Sequence, residues 1–125
     1  MSHFTTIKTQ IRDIGALREA CGELGLELLQ NAEARGYGSN RQRAEFVILL
    51  KGPYDVALTR QIDGTYGLST DWWDGHVEKE VGSNYGRLLQ LYATHKTARE
   101  ARKRGLSVQR AQRADGSIKL VIGGL

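Results

Sequence analysis

The sequence predicts an α+β domain. It should form a mainly antiparallel sheet of about six to seven strands, in the order β-α-β-β-β-β-α-β-β, with two helices packed on one face. Three observations predict this. Apolar residues alternate at period two around 54–68 and again over 118–122. Asp63-Gly64 and Asp115-Gly116 each stand between two such runs, and Asp-Gly is a two-residue hairpin signal. Two other segments repeat their apolar residues every three or four positions, as helices covering a sheet do. Hairpin connections imply antiparallel pairing with the helices segregated to one side.

In chain order, His3 to Gln10 is rich in threonine and reads as a first strand. Asp13 is placed to cap a helix carrying Leu17, Ala20, Cys21 and Leu24 at i, i+3, i+4 and i+7, and Gly25 to end it. Gly15 and Gly22 inside that helix each cost roughly 1 kcal/mol relative to alanine. Leu26 to Asn31 forms a short second strand. Ala32 to Arg43 has no period and reads as an exposed loop, and its G-Y-G-S lacks the lysine and spacing of a phosphate-binding loop. Glu45 to Leu50 is a dense apolar strand, central in the sheet, after which Gly52-Pro53 turns the chain. Tyr54, Val56 and Leu58 then share one face, with Asp55, Ala57 and Thr59 on the other. Tyr66 and Leu68 resume the alternation beyond Asp63-Gly64. A second helix runs from Ser83 or Asn84 to Gly105 and turns Tyr85, Leu88, Leu89, Leu91, Tyr92, His95 and Ala98 inward. Leu106 to Arg113 and Ser117 to Ile122 are the last two strands. The stretches R-Q-I-D-G-T and R-A-D-G-S repeat a turn chemistry, not a duplicated unit, because the strands around them do not match.

The 125 residues suit one domain, 1–125, with ordinary soluble composition, 40% hydrophobic and 26% charged. No apolar run approaches the roughly 18–20 residues of a membrane span. The first ten residues lack the charged and apolar segments of a secretory signal. Cys21 is the single cysteine, so there is no internal disulfide and no cysteine metal cluster, and a cytoplasmic location is expected. It lies on the apolar stripe of its helix, where a buried core residue is expected and not a reactive thiol.

Charge is unevenly distributed. Lys96, Arg99, Arg102, Lys103, Arg104, Arg110 and Arg113 fall between 95 and 113, opposed only by Glu100. The rest of the chain has 11 basic and 13 acidic residues, so one end is basic and the remainder slightly acidic. On the helix Lys96, Arg99 and Lys103 form one stripe, with Arg102 and Arg104 beside it. Such a patch can meet phosphates, but no aromatics interleave to stack bases. Trp72 and Trp73 cannot both face the core from an extended chain, so one is expected inside and one exposed, as at interface hot spots.

The remaining chemistry is sparse. Asp71, Asp74, His76, Glu78 and Glu80 match no metal-ligand spacing and read as a solvated acidic connection. His3, His76 and His95 stand in no nucleophile pattern, and His95 reads as a satisfied core histidine. No catalytic residue, cofactor or metal is expected.

The opening M-S-H-F-T-T-I-K-T-Q-I-R-D, the central Y-D-V-A-L-T-R-Q-I-D-G-T-Y-G-L and the closing L-Y-A-T-H-K-T-A-R-E-A-R-K-R-G with A-D-G-S-I-K-L-V resemble one family. It is the uncharacterised family known as hypothetical chloroplast reading frame thirty-five, of algal plastids, cyanobacteria and other bacteria. The resemblance covers most of the chain and is weakest after Trp73 and over Ala32 to Arg43. It implies a soluble protein, stromal in plastids, and no activity, cofactor or site residue. The expected function is a non-catalytic accessory or assembly module that binds another protein through the basic end of the second helix and the tryptophan corner. The alternatives are an RNA- or ribosome-associated protein using the same cations, and a small-ligand binder or enzyme with a pocket built around Trp72, Tyr92 and His95.

Overall fold

The alternation that singles out Val56, Leu58 and Leu68 is realised as the buried centre of a sheet in the computed structural model, which describes residues 3–124. The strands are β1 (Thr5–Lys8), β2 (Glu27–Arg35), β3 (Arg41–Leu49), β4 (Val56–Arg60), β5 (Tyr66–Thr70), β6 (Ser107–Gln112) and β7 (Ile118–Gly123). The helices are α1 (Ile14–Glu23), a single turn α2 (Glu78–Val81) and α3 (Gly86–Lys103). All strand pairs are antiparallel, giving the expected α+β order.

The seven strands divide into two sheets. Among the described residues five pair in the order β1-β5-β4-β3-β2, and β6 pairs with β7 alone. The last hairpin lies against α3 instead of joining an edge of the large sheet, with Val108, Ile118 and Leu120 half-buried beneath it.

Local chemistry sets the helix ends as the sequence predicts. Asp13 caps α1 by accepting from Ala16 N–H at 3.0 Å. At its other end Leu26 N–H returns to Cys21 O and Gly25 N–H to Gly22 O, and Leu106 and Gly105 repeat this arrangement after α3. Leu17, Ala20 and Cys21 of α1 and Leu88, Leu91 and Tyr92 of α3 join Leu28, Ile48, Val56 and Leu68 in one core. Burial pushes the Cys21 thiol up to about 12, so it packs as a small apolar group. The Tyr92 hydroxyl accepts from Arg12 N–H and Asp13 N–H, tying α3 to the start of α1. Gly15 has its own reason for being there. A Cβ at that position would stand 2.5 Å from Arg99 Nη2, so the missing side chain leaves room for the arginine to cross α1.

Two local expectations are corrected. Ala32 to Arg43 is not a loop, because β2 continues to Arg35 and β3 begins at Arg41, leaving only 36–40 as the turn. The period was hidden by Asn31, whose φ of 52° interrupts the alternation. Leu28 therefore packs in the main core, whereas Ala34, an even number of residues on, packs with Val47 and Ala57 on the other face. Beyond Asn31 the hairpin folds over that second face. Its Arg35 carbonyl accepts from Asp55 N–H, and Gly36 lies against the Phe4 ring.

The Asp-Gly turns are likewise not two-residue loops. Gly64 N–H bonds to Gln61 O and Gln61 N–H to Thr65 O, a type I turn followed by a left-handed glycine at φ 86°. Gly116 and Arg113 repeat this with Ser117. In each turn the aspartate Oδ1 accepts both the N–H and the hydroxyl of the following Thr65 or Ser117. The repeated turn chemistry is therefore real, and it favours the three-residue loop over the two-residue one.

Candidate functional site

Asp71 follows β5 and is fully buried. Its Oδ2 accepts from Tyr37 N–H and its Oδ1 from Trp73 N–H, both at 3.0 Å. One carboxylate thus fixes the tip of the β2–β3 hairpin against the tryptophan pair. The Tyr37 and Trp73 rings meet edge to face, with centroids 5.7 Å apart and planes at 69°. They stay 46% and 49% exposed, which makes them a standing aromatic corner. Trp72 turns the other way and packs on Tyr85 at 4.8 Å. The expected split of the tryptophans is observed. Its cause is a tight turn at Trp73–Gly75, with Asp74 left-handed at φ 58°, and not an extended chain.

Around this corner Tyr54 stacks edge-on with His76 at 5.3 Å. Burial, and then the proximity of Asp71, Tyr37 and Asp74, push the Tyr54 hydroxyl above the usual tyrosine range. Below it, Asp55 is 1% exposed and accepts from Arg35 N, Nε and Nη2 and from Leu50 N–H. Arg35 also donates to the carbonyls of Leu50 and Gly52, so a charged pair locks the frame on which the corner stands. The hydrogen bonds it donates to Asp55 hold the Arg35 guanidinium above its usual range. Sequence reasoning missed Tyr37, Arg35 and Asp55. Tyr37 and Asp71 are 34 residues apart, and only the hairpin folding over the sheet joins them.

The basic cluster is partly neutralised. Arg99 meets Asp13 at 3.3 Å and Glu19 at 2.8 Å, both on the face of α1. Arg110 forks onto Glu23, which also pairs with His95 at 2.6 Å. The Arg110 hydrogen bond, helped by His95, holds Glu23 below the usual glutamate range although burial opposes it. His95 is therefore satisfied at the rim of the helix pair. Lys96 reaches Glu100 at 3.7 Å. Arg102, Lys103, Arg104 and Arg113 are exposed and make no ion pair among the described residues.

The basic end and the tryptophan corner do not form one surface. Trp72 packs at the start of α3, while Arg102, Lys103 and Arg104 lie at its far end. The helix has 18 residues, so about 27 Å separates them. Among the described residues, Tyr92 and His95 border different clefts. A cleft of about 260 Å³ beside His95 is lined by Glu19, Arg102, Arg110 and Leu120. Tyr92 borders a separate groove of about 460 Å³ with Ile11, Leu89 and Lys96, and Trp72 lines neither.

The acidic connection is put to structural use. Glu80 accepts from Lys51 N–H and Gly52 N–H, and Asp74 sits 3.7 Å from His76. Among the described residues no group of three or more His, Cys, Asp or Glu converges as metal ligands. Nor is any helix among them long and apolar enough to cross a membrane.

Comparison with known proteins agrees with the resemblance of the opening, central and closing blocks. A protein described as "Uncharacterized protein ycf35", from Pyropia yezoensis, is 31% identical over 125 aligned residues, covering 98% of this chain and 96% of the relative. No solved structure matches significantly. The family profile described as "Protein of unknown function (DUF1257)" matches residues 20–121, from within α1 to within β7. The chain belongs to the DUF1257 family, whose function is unknown.

Proposed function

We propose that this chain is a non-catalytic accessory or assembly module that binds another protein, with the tryptophan corner as the primary contact. The observation that carries the reading is the Tyr37–Trp73 pair, about half exposed yet fixed through both backbones by the buried Asp71. Large aromatic rings bind tightly where little conformational freedom is left to lose, and tryptophan and tyrosine dominate interface hot spots. The connection from 74 to 85 supports the reading. Asp74, Asn84 and Tyr85 there are left-handed, and such strain persists where the surrounding structure enforces it, often at functional sites. Arg102, Lys103 and Arg104 offer a second contact, for an acidic surface of the same partner. The single buried Cys21 thiol fits a reducing, cytosol-like compartment.

A second reading, an RNA- or ribosome-associated protein, is favoured by those same exposed cations. The two are separated by affinity capture from the native cell using the wild type, Trp73→Ala, and a triple change of Arg102, Lys103 and Arg104 to glutamate. Loss of a protein partner with Trp73→Ala supports the protein-binding reading. Recovery of RNA that is salt-sensitive, abolished by the triple change and indifferent to Trp73→Ala supports the rival.

A further inference from the structure

We infer that the aromatic corner receives an arginine side chain presented by a basic segment of the partner. This rests on the protein-binding reading above. The shape of the site and its charge point the same way. Tyr37 and Trp73 present two half-exposed rings whose planes stand 69° apart. A planar, weakly hydrated guanidinium stacks on such ring faces while its N–H fork meets a carboxylate. A reachable carboxylate is close by: the Asp74 side chain, next to Trp73, is 73% exposed and lies 3.7 Å from His76 Nε2, whereas buried Asp71 is occupied by the Tyr37 and Trp73 N–H groups. From 71 to 80 the chain has Asp71, Asp74, Glu78 and Glu80 against Lys79, and Arg41 beside the Tyr37 turn is folded onto the Gly38 and Asn40 carbonyls. The other end of the molecule has the opposite sign, with Arg102, Lys103 and Arg104 exposed about one helix length away. A basic segment is therefore attracted to the corner and repelled from the far end of α3.

The corner is also built before any ligand arrives. Asp71 holds the backbones of both rings, and Asp74 at φ 58° with Gly75 at φ 70° sets the turn that carries Trp73 outward. Little ordering remains to be done on binding.

The test uses the full chain and a short arginine–glycine peptide, with lysine–glycine and glutamine–glycine peptides of equal length as controls. Binding is read from the NMR signal of the Trp73 indole N–H and by calorimetry at low salt. The arginine peptide is expected to shift the indole signal, the lysine peptide to bind several-fold more weakly, and the glutamine peptide not to bind. Trp73→Ala should abolish arginine-peptide binding. Asp74→Asn, which keeps a residue tolerant of left-handed backbone, should weaken it about threefold or more. The assignment is overturned by no response to the arginine peptide, by equal affinity for either control, or by indifference to Trp73→Ala or Asp74→Asn. Its failure is distinguishable from that of the parent reading. A native partner lost with Trp73→Ala, together with no arginine-peptide binding, leaves the binding module standing and removes the arginine.

Discussion

Asp55 is 1% exposed and accepts hydrogen bonds from the Arg35 backbone and guanidinium and from Leu50 N–H. Taking a carboxylate out of water costs several kcal/mol, and these donors offset it. Removing the carboxylate takes the Asp55 acceptor from the Arg35 and Leu50 backbone N–H groups and leaves the guanidinium only the Leu50 and Gly52 carbonyls. Asp55→Ala is therefore expected to cost about 3 kcal/mol in denaturant unfolding. An unchanged midpoint would contradict this role. The Tyr85 hydroxyl is the reverse case. It is buried with no hydrogen-bond partner among the described residues, and burial raises its pKa. Tyr85→Phe keeps the ring on Trp72 and removes an unsatisfied group, so it is expected to stabilise by about 1 kcal/mol. Destabilisation would mean that the hydroxyl has a partner. The inward position of Tyr85 is legible in the sequence, and the role of Asp55 is not. Asp55 alternates regularly with Ala57, and nothing in Y-D-V says that Arg35 will return to meet it.

At the scale of elements, α1 and α3 are joined by apolar packing and by an acidic face set against a basic one. Exposed pairs such as Arg99–Glu19 each contribute only about 0–1 kcal/mol, so the buried Leu17, Leu88 and Leu91 hold the helices together. The charge pairs act more on pH response. Glu23 titrates below the ordinary glutamate value of 4.5 in the folded protein. Its contribution is present above that value and lost as pH falls through the lower folded pKa. Melting curves over an acid series should show this loss in the wild type and its absence in Glu23→Gln. Parallel acid profiles for the two proteins would refute the pairing.

The legibility of elements follows the range of the forces that make them. Asp13 capping α1, Gly25 ending it and the alternation of β4 and β5 are local, and all three could be read. The outer half of the β2–β3 hairpin could not. One left-handed Asn31 switches the face that Ala32 and Ala34 bury, and the pairing that makes Ala34 a core residue comes from Val47 and Ala57. The division into five and two strands was hidden for the same reason, because hairpin signals report pairing within β6–β7 and not where that pair docks.

For the whole molecule, formal charge and displayed charge differ. The sequence counts seven cations between 95 and 113, and the fold sets Arg99 and Arg110 against Asp13, Glu19 and Glu23. What remains exposed is a smaller cationic end, one helix length from an acidic aromatic corner. That separation was not visible in a charge count. The sequence presents the tryptophans as a split pair, but Tyr37, which completes the corner, falls in a stretch without period. The most direct measurement is the affinity of the captured protein partner for the purified wild type and for Trp73→Ala, by titration calorimetry. A central hot spot is worth about 2 kcal/mol or more, so the expected result is a loss of about thirtyfold or greater with the fold unchanged. Equal affinity for the two proteins would contradict the tryptophan corner as the binding surface.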